Sequence, residues 1–90
     1  MNKLKETILR AVEIYNRYRS PEAAATLLKL QGNHITIEFK GPFCSSCGIY
    51  DYFEGFVYEL KDFANLRIRI VEVKQDGPED FRVKYRVEGK

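Results

Sequence analysis

Cys44 and Cys47 are the chain's only thiols, and Ser45 and Ser46 separate them. A pair at this spacing closes a disulfide, supplies half of a metal site or stays inert, because a thiolate attacks disulfides and binds soft metals whereas a buried thiol does neither. The surroundings decide which. Gly41-Pro42 breaks an alternating run before the pair and a helical stripe begins after it, so the sulfurs are expected at a helix N-terminus. There, unpaired amides and the positive end of the helix dipole favour thiolate. Asp51 and Glu54 in the following turns oppose it, and Lys40 is the nearest basic residue in sequence.

Residues 34–74, in the order strand, CxxC, helix, strand, resemble the first half of the thioredoxin fold. That resemblance implies Cys44 as the attacking thiol, Cys47 as the resolving thiol and a protein thiol or disulfide as partner. Ser45-Ser46 stands where thioredoxins carry Gly-Pro, and the cis-proline loop and last helix have no counterpart, so the resemblance is to a local motif. The expected function is thiol–disulfide exchange or redox sensing. The alternative is a non-enzymatic interaction module in which the pair is a structural disulfide or half of a zinc site shared in a homodimer. Zinc takes four ligands, and one chain offers Cys44, Cys47 and at best His34, which heads a strand on its polar side and reads first as solvated. Nothing in the sequence calls for a cofactor.

A second candidate surface is cationic. Lys40, Arg67, Arg69, Arg82, Lys84 and Arg86 fall on the polar side of strands, where together they would form a platform for nucleic-acid phosphates or a protein partner. Glu38, Glu72 and Glu88 interrupt it, and no aromatic residue accompanies it for base stacking. Lysine and arginine number 15 against 13 acidic residues, too even a balance for a strong overall field. No Ser/His/Asp arrangement, phosphate-binding glycine loop or carboxylate pair of defined geometry is present, which turns the reading away from hydrolase and kinase chemistry.

The elements that position these groups follow from periodicity. Leu4, Ile8, Ala11, Val12, Tyr15 and Tyr18 recur at steps of three and four, predicting a helix over 3–19. Ser20-Pro21-Glu22 reads as a stop and restart, and Ala23, Ala24, Ala25, Leu27, Leu28 and Leu30 as a short second helix capped by Gly32. Ile35, Ile37 and Phe39 alternate with polar residues as a strand over 34–40. Ile49, Phe53, Phe56, Val57, Leu60 and Phe63 predict a third helix ending by Asn65, leaving Tyr50, Tyr52 and Tyr58 for a surface around the cysteines. Leu66, Ile68 and Ile70 fall one residue out of phase with Val71 and Val73, which a bulge near 70–72 would reconcile. After a loop at Gly77-Pro78, Phe81, Val83, Tyr85 and Val87 alternate as the last strand.

The expectation is an α+β fold of order α-α-β-α-β-β: a three-stranded mixed sheet whose first two strands are parallel through a right-handed crossover, with helices mainly on one face. Ninety residues with no repeat or linker make a single domain, 1–90. Residues 1–10 are charged at Lys3, Lys5, Glu6 and Arg10, and no apolar run approaches a membrane span, so the cytoplasm is the expected compartment. The charge-rich, tryptophan-free composition is of the kind seen in hyperthermophile proteins, where intracellular disulfides are common.

Overall fold

A computed structural model of the chain describes residues 3–19, 23–41 and 49–89. The elements are α1 (Lys3–Arg19), β1 (Ala24–Gln31), β2 (His34–Lys40), α2 (Ile49–Ala64), β3 (Arg67–Gly77) and β4 (Asp80–Gly89). The strands form one sheet in the order β1-β2-β4-β3, every neighbouring pair antiparallel. The class is α+β, but the expected three helices and three-stranded mixed sheet are corrected to two helices and four antiparallel strands. β2 and β3 do run in the same direction, as a crossover through α2 requires, yet β4 lies between them and makes both ladders.

The residues expected to form a second helix form β1 instead, and the reason is local. Leu27 pairs with Ile37 and Leu30 with Ile35, the register slipping at Leu28. This bulge brings side chains three apart onto one face of a strand, which imitates helical spacing. Gly32, φ 57°, then opens a two-residue turn into β2, the place where a type II′ hairpin requires a left-handed residue. The amide of Asn16 holds β1 against α1: its Nδ2 donates to Ala25 O at 2.9 Å and its Oδ1 accepts from Ala25 N at 2.7 Å. A side chain thus completes the edge strand as a neighbouring backbone would. The proposed restart at 20–22 lies outside the described residues.

β3 carries the bulge that the phase slip predicts, with registers shifting between Ile70 and Glu72. Ile68, Ile70 and Val73 pack inward or against the core, whereas Val71, the extra residue, is half exposed. Leu28 has the same position on the opposite edge. Each edge strand is therefore interrupted by a bulge, which discourages edge-to-edge pairing with another chain.

Both helices cover one sheet face. Ile8, Ala11 and Tyr15 of α1, Phe53, Phe56 and Leu60 of α2, Ile35, Ile37 and Phe39 of β2, and Val83 and Tyr85 of β4 are fully buried. Tyr18 and Phe63, expected on the inward stripes, are exposed at the helix ends. Asn65, φ 53°, terminates α2 by donating its N–H to Lys61 O at 2.9 Å, a left-handed cap of the kind glycine usually makes.

The core is a chain of rings. Phe39 lies 5.6 Å from Tyr15 and 5.2 Å from Phe53, Phe53 lies 5.5 Å from Phe81, and Phe56 lies 6.1 Å from Tyr15 and 5.5 Å from Tyr85. Two of these rings carry hydroxyls that need partners once buried. Tyr15 donates to Tyr52 O and Tyr85 to Phe53 O, each at 2.8 Å. One phenol from α1 and one from β4 thus grip consecutive carbonyls near the start of α2. Burial pushes both phenols well above their usual range, Arg19 opposing the shift at Tyr15.

Arg19 explains the glycine inside α2. Its guanidinium lies 4.4 Å from the Tyr15 ring centroid and reaches Glu59 Oε2 from Nη1 at 3.2 Å. A Cβ on Gly55 would stand 2.8 Å from its Nη2. Gly55→Ala is therefore expected to leave stability within about 1 kcal/mol of the parent, because the gain in helix propensity, about 1 kcal/mol, is offset by expelling the guanidinium from its stack and ion pair. In an Arg19→Ala background the same change is expected to stabilise by about 1 kcal/mol. Urea unfolding of the four-protein cycle checks this; equal effects in both backgrounds would show that Arg19 does not set the need for glycine.

Candidate functional site

Cys44 and Cys47, the residues of the redox and zinc readings, lie outside the described residues. What the structure does show is the frame on either side of them. β2 ends at Lys40, α2 begins at Ile49, and the strand after α2 is separated from β2 by β4. The strand–CxxC–helix–strand run is therefore not a pair of adjacent parallel strands bridged by one helix, and the resemblance to half a thioredoxin does not extend to the sheet.

The cationic residues lie on the sheet face that no helix covers, and Glu38, Glu72 and Glu88, the acids that interrupt them in the sequence, pair with them there together with Asp76. Arg69 Nε lies 2.8 Å from Glu88, Arg82 Nε 3.2 Å from Asp76, Lys84 Nζ 3.5 Å from Glu72 and Lys40 Nζ 4.0 Å from Glu38. Four of the six candidates thus have their charge balanced locally, and only Arg67 and Arg86 lack a carboxylate partner among the described residues. Exposed pairs of this kind contribute little to stability, up to about 1 kcal/mol each. Their effect here is on the field: the face is a lattice of alternating signs and not a uniform basic platform.

One part of that face departs from the alternation. Lys29, Gln31, His34, Thr36 and Lys84 wall a cleft of about 170 Å³. Lys29 and Gln31 come from β1, His34 and Thr36 from β2, and Lys84 from β4. The helix assigned to 23–30 hid Lys29 and Gln31 from the sequence reading. The signal that exposes them is Gln31-Gly32-Asn33-His34, a two-residue hairpin turn that sets both on the polar face beside His34.

Among the described residues, no group of three or more His, Cys, Asp or Glu side chains is placed to hold a metal ion. No described helix is long and apolar enough to cross a membrane. Tyr58, expected near the cysteines, is exposed on α2, and Tyr52 packs partly against the core.

No family model and no curated protein matches the chain. Solved structures do. An Fe(II) unliganded H-NOX protein from K. algicida superposes with a TM-score of 0.58 at 12 % identity, over 98 % of this chain and 48 % of its own. An H-NOX structure used to probe heme distortion gives 0.53 at 18 % identity over 99 % and 48 %. An oxygen-binding H-NOX domain related to soluble guanylate cyclases gives 0.51 at 14 % identity over 98 % and 49 %. This fold likeness, with the antiparallel sheet, overturns the reading of the chain as a thiol–disulfide exchange protein. The chain spans about half the length of these relatives, and what it shares with that half of an H-NOX domain is its fold.

Proposed function

We propose that the chain is a ligand-responsive sensor module and not a catalyst. The observation that carries this reading is the fold shared, along nearly the whole chain, with domains described as heme- and oxygen-binding.

Heme itself does not fit the described residues. A porphyrin needs a deep apolar slot and an axial ligand such as histidine, cysteine, methionine or tyrosine. His34, the chain's one histidine, stands exposed on the polar sheet face beside Lys29, Gln31, Thr36 and Lys84, and the space between sheet and helices is filled by packed rings. The shared fold is therefore read as a shared scaffold, with the ligand left to this chain's own chemistry.

Thermal unfolding in the presence of a ligand panel tests the proposal, since a ligand at 100 times its Kd adds about 2.7 kcal/mol to stability. The panel comprises hemin, phosphorylated metabolites, nucleotides and fatty acids. A saturable rise of several degrees with one class, without turnover of it, is the expected outcome. Hemin is expected to keep the broad absorbance of the free compound. No rise with any class, or catalytic reduction of a disulfide substrate, would overturn the sensor reading.

A further inference from the structure

The uncovered sheet face is organised in rows. By register, Lys29, Thr36, Lys84 and Glu72 form one row across the four strands, and Gln31, His34, Arg86 and Arg69 form the next. Directly opposed side chains on neighbouring antiparallel strands have Cβ atoms about 4.5–5.5 Å apart. Thr36 is therefore flanked by two lysines, and His34 by an amide and a guanidinium.

No carboxylate lines the cleft these residues make. Glu72 draws on Lys84 from the far side, and Glu88 is taken by Arg69. Among the described residues, neither Lys29 nor Arg86 has a carboxylate within 4.0 Å. At the other end of the face, each of Lys40 and Arg82 has its own acid. Lys29 and Lys84 stand on either side of Thr36, so an oxyanion seated over the threonine meets a cation from each neighbouring strand.

The donors are of the kinds that bind oxyanions. Two ammonium groups supply charge, a hydroxyl and a carboxamide supply neutral N–H or O–H bonds, and the imidazole supplies one more. The volume is that of about five or six waters, which suits a tetrahedral oxyanion. We propose that this cleft binds the terminal phosphate of a small phosphomonoester, Lys29 and Lys84, the latter shared with Glu72, opposing its charge while Gln31, His34 and Thr36 donate to its oxygens. A carboxylate would leave half of these donors unused, and a phosphodiester chain continuing across the sheet would meet Glu72 in one direction and Glu38 in the other. The assignment stands on the cleft's own geometry, whether or not the chain is a sensor.

Amide and side-chain NMR of the full chain, titrated with inorganic phosphate and with phenyl phosphate against chloride at matched ionic strength, tests it. The expected result is one-site saturation centred on Lys29, Gln31, His34, Thr36 and Lys84. Lys29→Met, which keeps the apolar stem, and Thr36→Val are each expected to weaken binding about tenfold, the loss of one hydrogen bond to a charged group. Lys29→Arg and Lys40→Ala are expected to retain it. Shifts that grow linearly without saturating, saturation unchanged in Lys29→Met, or tighter binding of a single-stranded oligonucleotide than of phenyl phosphate would each overturn the proposal.

Discussion

Phe39→Ala is expected to destabilise the fold by about 3–5 kcal/mol, out of a total of about 5–13 kcal/mol for a domain of this length. The ring is fully buried on an inner strand and contacts Tyr15 of α1 and Phe53 of α2, so no single neighbour can move to fill the space without breaking another contact. The urea midpoint should fall by about a quarter or more with the slope unchanged, because the surface exposed on unfolding is nearly the same. Leu28→Ala, in the half-exposed bulge of β1, is the comparison, with an expected cost below about 1 kcal/mol. A similar small cost at Phe39 would show that the sheet and the two helices are not closed around this ring.

Alkaline solution is expected to unfold the protein through two phenols. Tyr15 and Tyr85 are held protonated in the folded chain, chiefly by burial, while in the unfolded chain they release their protons near pH 10. Above that pH the unfolded state binds fewer protons than the folded state, so the stabilisation present below pH 10 is lost as pH rises. The slope is about 1.4 kcal/mol per pH unit for each phenol, or about 2.8 for both. A Tyr15→Phe/Tyr85→Phe double variant should start about 2 kcal/mol lower at neutral pH, having lost two hydrogen bonds, and should then fall less steeply. Urea midpoints between pH 8 and 11.5, followed with tyrosinate absorbance, make the comparison, and other titrating groups cancel between the two proteins. Parallel curves would mean that these hydroxyls ionise without opening the core.

Where one buried face repeats along an element, the sequence is a good guide. α1, β2, α2 and β4 were legible for that reason, as was the bulge in β3, which shows as a change of phase between Ile70 and Val71. β1 was not, because its own bulge places Leu27 and Leu30 at helical spacing and its alanines favour a helix when taken alone. Strand order was not legible either. Alternation says which side of a strand is buried but not which strand lies beside it, and nothing in Phe81 to Glu88 announces a place between β2 and β3. The same limit governs the charged face: Arg69, Arg82, Lys84 and the interrupting Glu72 and Glu88 could be assigned to it, but which acid meets which base depends on strand order, and Asp76, the partner of Arg82, was not foreseen. The cleft around His34 needed the hairpin, and the hairpin was obscured by a misleading helix.

The central place of β4 bears on how this protein comes to be folded. β4 is the fourth strand in chain order, yet β2 and β3 meet only through it, as two outer leaves meet at a spine. As the polypeptide emerges from a ribosome, the β1–β2 hairpin and β3 have no ladder joining them until residues 80–89 are clear of the exit tunnel. Assembly of the sheet must therefore wait for its middle, and a nascent chain halted at Gly77 should remain as sensitive to protease as an unfolded one.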